Sequence, residues 1–197
     1  MELDTAIRQR RMCRNFLRRP IPPDLVDRLF DRAVRAPSAG HAQGWAFVVL
    51  EGHEATSRFW SVDADPAWLV QPDHPGVLNA PVIVVPFCNR HVYLERYRAP
   101  DKAGVGLSEE AAWPAPYWLI DTAFATMLLL LAAVEEGLGA LLFRLHGDPS
   151  RLRTEFGVPD GWDPIGAVAL GWPAPPNGPP TARARRSVAE VVHRGGW

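Results

Sequence analysis

Ala123 to Val134 is a twelve-residue stretch that is apolar except for Thr126. Together with its flanks, Asp121 to Glu136, it makes a helix that is hydrophobic nearly all the way round. Such a helix has to lie in the middle of a protein or in an interface between subunits. The run is too short to cross a bilayer, which takes about 20 residues, and Gly137 supplies a residue at which a helix stops. Whatever the fold, other layers must wrap around this segment. A chain of 197 residues, 47% of them hydrophobic, can do so with one core, and residues 1–197 read as a single domain.

The remaining sequence supplies layers of both kinds. Asp4 can cap a short helix running towards Arg11, and the Pro22-Pro23 pair opens a second helix on which Leu25, Leu29, Phe30 and Ala33 form an apolar stripe. Phe47 to Leu50 and Val82 to Val85 read as buried strands, as do Ala140 to Leu145 and Ile165 to Leu170. Between the last two lies a helix that Asp148 caps and Pro149 opens. The pattern is mixed α/β, without an internal repeat. From His91 to Trp118 the period is lost and Pro, Gly and aromatic residues gather, which predicts a long surface excursion of the kind that covers sites. Pro173 to Pro180 holds five prolines, so it should run extended and carry the last seventeen residues, with Arg183, Arg185 and Arg186, away from the core.

Charge and cysteine usage narrow the function classes. A net charge of −1 gives no whole-protein field towards nucleic acid. Lys102 is the single lysine among 21 basic residues, so a cationic site must be built from arginine, whose planar fork binds phosphate oxygens bidentately. Cys13 and Cys88 lie far apart without CxxC spacing, which suggests neither a disulfide framework nor a zinc site. A reducing compartment fits, and the opening residues lack a charged-then-apolar leader, so a cytoplasmic protein without a membrane partner is expected. No two of the six histidines fall within four residues, so no helical metal pair is expected. Gly137-Leu138-Gly139 follows a helix and lacks the third glycine of a dinucleotide fingerprint, and Gly104-Val105-Gly106 lacks the Lys-Ser/Thr of a phosphate loop.

Two stretches carry chemistry. Arg10-Arg11-Met12-Cys13-Arg14-Asn15-Phe16 places three arginines within five residues, a spacing that can surround one phosphate or form a solvated basic face. Cys13 is there either a thiol activated by its arginine neighbours or a packed one. Ala36-Pro37-Ser38-Ala39-Gly40-His41-Ala42-Gln43-Gly44-Trp45 is a turn of small residues leading into a strand. Taken in this order, the two resemble the nitroreductase family, whose N-terminal half carries Arg-Arg-Ser-x-Arg-x-Phe and then Ala-Pro-Ser-x-x-Asn-x-Gln-Pro-Trp. The resemblance continues through Asn79 to Val85, the apolar helix, Gly137 to Ala140, Ala169 to Pro173 and Arg183-Ala184-Arg185-Arg186, leaving only His91 to Trp118 outside it.

The resemblance implies an α+β fold with a central mixed or antiparallel sheet, flanking helices and a long central apolar helix. It implies a homodimer with two FMN sites across its interface and a C-terminal extension reaching to the partner. NADH or NADPH would reduce FMN, which would then pass two electrons to a nitroaromatic, quinone or related small acceptor in a ping-pong cycle. Alternatives are a specialised flavin-dependent dehydrogenase or dehalogenase of a biosynthetic intermediate, and a non-catalytic flavin-binding protein. By position, Arg10, Arg11 and Arg14, with Met12 among them, and Arg183 and Arg185 hold the FMN phosphate and ribityl chain. Pro37, Ser38, Ala39 and His41 approach from the other subunit. Backbone amides around Phe143 and Arg144, beside Leu142, face flavin N5 and O4. No side chain is required as acid or base, and no metal or nucleic acid is expected. Tyr93, Tyr97, Trp113, Tyr117 and Trp118 would stack on planar substrates from a lid, with Arg144 at the substrate side. Departures from the family pattern are Met12 for Ser or Thr, His41 for Asn, Gly44 for Pro, and Leu142-Phe143-Arg144 for a segment that often contains a small residue. They bear on substrate choice more than on FMN binding.

Overall fold

The computed structural model describes residues 1–175 and 184–197. Strand β2 (Val82–Cys88) is buried at every position, and side chains alternate across a strand. Val82 and Val84 therefore enter one core, whereas Ile83, Val85 and Phe87 enter another. Strand β5 (Ala167–Gly171) does the same, with Val168 and Leu170 on the first side and Ala167 and Ala169 on the second. Two-sided burial is why both segments read as continuous apolar runs. With β1 (Trp45–Glu51) and β3 (Gly139–Phe143) they form an antiparallel sheet in the order β1-β2-β5-β3, and the two-residue β4 (Asp163–Pro164) pairs with β2. Val84 faces Val49 of β1 and Val168 of β5 in this register.

One layer over the sheet consists of α2 (Pro23–Ala33) and α6 (Tyr117–Glu135); α3 (Gly52–Asp63) and α7 (Pro149–Glu155) form the layer on the other side. The apolar helix begins four residues earlier than expected, so α6 spans 19 residues and is long and apolar enough to cross a bilayer. Run length therefore does not decide its place. Packing does: Ala125, Leu129, Leu130, Ala132 and Ala133 are buried on one flank together with the polar Asp121, Thr122 and Thr126. On the opposite flank Phe124 is 48% and Met127 46% exposed. Gly137 stops the helix as expected. At φ 74° it lets its own N–H reach the Val134 carbonyl at 3.0 Å and the Leu138 N–H reach that of Ala133 at 2.8 Å, the paired bonds of a left-handed helix end. Arg28 and Arg32 of α2 clasp Glu136 beside this end at 3.3 and 2.8 Å.

Several local expectations change. Asp4 is not a cap: α1 (Leu3–Gln9) starts one residue before it, and its carboxylate accepts from Arg8 at 2.7 Å. Asp148 does cap α7, accepting from the Ser150 N–H at 2.8 Å. The sheet is antiparallel among its named strands, and its parallel element is a single bridge from Met12 to Ala140. Helix α3 and the short α4 (Pro66–Val70) went unanticipated. The stretch from His91 to Trp118 is not a bare excursion: α5 (Arg90–Arg98), capped by Asn89 Oδ1 at 2.9 Å from the His91 N–H, occupies its first part.

Candidate functional site

Beyond α1 the chain does not continue as a helix. Met12 bridges Ala140, and the Cys13 N–H donates to the Ala140 carbonyl at 2.9 Å, so the arginine motif lies along the start of β3. That contact brings two sequence-distant motifs together. Arg14, Leu142 and Phe143 line one groove of about 400 Å³. Trp60 forms its wall, stacked on Phe143 with ring centroids 5.5 Å apart and 14° between planes, while Phe59 meets the same ring edge-on at 6.1 Å. Trp68, Asp65, Asp73, His74 and His146 also line it.

None of Arg10, Arg11, Arg14 and Arg144 has an acidic partner among the described residues. Arg10 Nη1 is buried without a hydrogen-bond partner among the described residues. Arg14 and Arg144 are exposed, and neither makes an ion pair among the described residues. Arg11 instead turns back on its own backbone, donating to the Arg10 carbonyl at 2.9 Å and to that of Arg8. Met12 packs against both core layers. Cys13 is a packed thiol, contrary to the reactive alternative: burial raises its pKa, and its Sγ lies 3.2 Å from the Asn15 carbonyl. Burial likewise pushes the Cys88 thiol up to about 11. Arg185 lies in the segment 184–197, which is exposed throughout. Arg183 falls outside the described residues.

Pro37, Ser38, Ala39 and His41 belong to a second group. Ala39–His41 is a tight 3-10 turn with Gly40 at φ 60°, His41 at 56° and Gln43 at 53°, conformations that cost a non-glycine residue energy unless its surroundings hold it there. They are held. Asp121 Oδ2 accepts from the Ala39 N–H at 2.8 Å and from the Tyr93 hydroxyl at 2.9 Å. Arg96 Nε donates to the Gly40 carbonyl at 2.7 Å, and the Gln43 N–H donates to Ser38 Oγ at 3.0 Å. At Gly44, where the family pattern has proline, a Cβ would lie 2.5 Å from the Tyr93 ring, so this packing needs a residue without a side chain.

Tyr93, Tyr97, Trp113 and Trp118 pack with this turn, not with the arginines. Tyr93 is fully buried, and burial first, then the bond to Asp121, drives its phenol pKa far upward. Its ring therefore has no face to offer a substrate, contrary to the expected stacking role. Trp113 is also buried, edge-on to Tyr97 at 4.8 Å, with its Nε1 bonded to the Leu107 carbonyl at 2.9 Å. Of the five expected substrate aromatics, Tyr97 and Trp118 are partly exposed and Tyr117 is exposed. Sequence reasoning passed over Trp60, Trp68, His74 and His146 in the groove, and Asp63 and Asp121 beneath the two groups. Asp121 alone carried a signal, as an acid at the edge of the apolar helix.

The chain matches the model of the nitroreductase family over residues 7–172. It is 27% identical over 177 residues to a Methanothermobacter thermautotrophicus protein named NADH dehydrogenase/NAD(P)H nitroreductase, covering 88% of this chain and 78% of that one. To the NADH dehydrogenase of Thermus thermophilus it is 30% identical over 186 residues, covering 88% of each. A solved structure from Exiguobacterium sibiricum, described as a nitroreductase in complex with FMN, aligns with a TM-score of 0.72 at 15% identity, over 98% of this chain and 97% of that one.

Proposed function

Because this chain belongs to the nitroreductase family, we propose that it is an FMN-dependent oxidoreductase that draws hydride from NADH or NADPH and delivers two electrons to nitroaromatic, quinone or related small acceptors. The observation that carries this reading is the buried, unpartnered Arg10 Nη1 close in sequence to Arg14 in the groove. A buried guanidinium nitrogen without an acceptor is costly, and a phosphate supplies the missing oxygens in bidentate geometry. The groove also lies within the range of small-molecule sites, about 300–1,000 Å³.

FMN supplies reversible two-electron chemistry when bound. Arg10 and Arg14, joined by Arg183 and Arg185 and by Arg11 once its guanidinium leaves the Arg8 and Arg10 carbonyls, hold its phosphate and ribityl chain. The backbone amides of Phe143 and Arg144 serve its ring system, and the Trp60–Phe143 stack keeps water from the wall behind. The Pro37 to His41 turn completes the site from a second copy of the chain in a homodimer. Three features support that assembly: the turn and the arginine groove form separate groups in one chain, α6 leaves Phe124 and Met127 uncovered, and residues 184–197 are exposed throughout. A cytoplasmic location goes with this reading, since nicotinamide cofactor is its electron source.

Purified protein should be yellow, and anaerobic NADH or NADPH should bleach it. A colourless protein that also refuses added FMN would overturn the proposal.

A further inference from the structure

Asp63 ends α3 inside the protein at 3% exposure. Its Oδ1 accepts from the backbone N–H groups of His146 and Gly147 at 2.9 and 3.2 Å, which pins the loop beyond β3. Its other oxygen, Oδ2, is buried and has no hydrogen-bond partner among the described residues; His146 Nδ1 stands 3.7 Å from it. A loop anchor needs only the first oxygen, and an asparagine would provide it. The second places an unanswered carboxylate oxygen in front of an imidazole, and a buried charge is tolerated only when something answers it. The His146 side chain is 48% exposed and lines the groove that Arg14 and Phe143 share. With Nδ1 turned to Asp63, Nε2 lies on the other edge of the ring, and the two nitrogens have distinct roles once one of them is engaged.

We propose that His146, oriented by Asp63, gives up the proton that a quinone acceptor requires when it is reduced in this groove, an inference that rests on the flavin reading above. A quinone becomes a hydroquinone by taking two electrons and two protons. The electron pair and one hydrogen arrive as hydride, drawn from the nicotinamide by way of the flavin. The second proton has to come from an acid. The Nε2–H bond of the imidazolium breaks as the quinone O–H bond forms, leaving neutral imidazole beside Asp63, and the half-exposed ring regains its proton from water. His74, the other histidine of the groove, makes no carboxylate ion pair among the described residues, and Asp65 is engaged as the cap of α4. Asp63 is a positioning residue, since it acts through the imidazole.

The test uses His146→Gln and Asp63→Asn, the second of which keeps an oxygen for the two backbone N–H groups. In the apoprotein, long-range proton–nitrogen NMR reads the tautomer of the neutral ring. Wild type should carry its hydrogen on Nδ1, whereas Asp63→Asn, whose amide can donate to Nδ1, should move it to Nε2. In stopped-flow reoxidation, scored per bound flavin, the ratio of the rate with menadione to the rate with ferricyanide should fall about 100-fold in His146→Gln. Ferricyanide takes electrons without a proton, so a purely structural defect would slow both acceptors alike. An unchanged ratio, or a tautomer indifferent to Asp63→Asn, overturns the inference. A wild-type protein without flavin overturns the reading beneath it instead.

Discussion

The arginine groove and the Ser38 turn differ in how completely the chain satisfies its own polar groups. Around the turn, the Ala39 N–H, the Tyr93 hydroxyl, the Gly40 carbonyl, the Gln43 N–H and the Trp113 indole all have protein partners. Behind residues that line the groove, Arg10 Nη1, four positions before Arg14, and Asp63 Oδ2, facing His146, have none among the described residues. Folded proteins leave few buried polar atoms unpaired, so the contrast separates a finished scaffold from a cradle shaped for something else. The turn's polar groups are closed on protein partners; on the flavin reading proposed above, a ligand would complete the groove. Aromatic content does not distinguish them, since both are walled by tryptophan.

The strongest way to break this comparison is to damage each region in a separate copy of the chain. Arg14→Glu alone should abolish flavin retention, as should Trp substitution of Ser38 and Ala39 alone. Mixed dimers put both defects into one site and leave the other native. Co-expression should therefore restore flavin and up to half the activity per mixed dimer, measured on tandem-tagged protein. Mixed dimers that stay colourless would show that the two regions do not meet across an interface.

Stability provides a sharper contrast of sign. Asp121→Ala strips the acceptor from a buried and a part-buried donor at once, about 2–6 kcal/mol at about 1–3 kcal/mol each, so the Tm of the apoprotein should drop by roughly 5–20 °C. Arg10→Met removes an unsatisfied buried donor and should hold or raise that Tm, while weakening FMN binding about tenfold or more in a fluorescence titration. If both substitutions destabilise the apoprotein equally, the groove is as finished as the turn.

The smallest effect concerns acid. The Arg96 guanidinium, hydrogen-bonded to Asp101, holds that carboxyl below the ordinary aspartate value. Its contribution is therefore present above the ordinary value, about 3.9, and fades as pH falls from there through the lowered folded value. Because Arg96 also holds the Gly40 carbonyl, a modest change in tryptophan fluorescence should appear below about pH 4 and be weaker in Asp101→Asn. An identical acid profile in that variant would detach the pair from the turn.

Much of the fold was legible because its signals are local. The two-sided strands β2 and β5 announced themselves as unbroken apolar runs, Pro23 marked the start of α2, and Gly137 marked the end of α6. Helix α3 was not legible: it starts at Gly52 without a side-chain cap, and its buried residues Phe59, Trp60 and Val62 sit among polar ones. Tyr93 misled for a different reason, since an aromatic in an aperiodic stretch looks the same whether its ring faces a ligand or a buried aspartate.

By itself, the sequence determined the family and the elements that pack on both sides, and it singled out the arginine cluster proposed to hold an anion, because residue type and short-range spacing suffice for each. Only the tertiary structure decided which of those residues share a groove. The Asp63–His146 contact joins positions 83 residues apart, and the partners left unmade around Arg10 become visible only once every other donor and acceptor nearby has been placed. Satisfaction of a buried polar group depends on all the groups around it, and the folded chain alone brings those together.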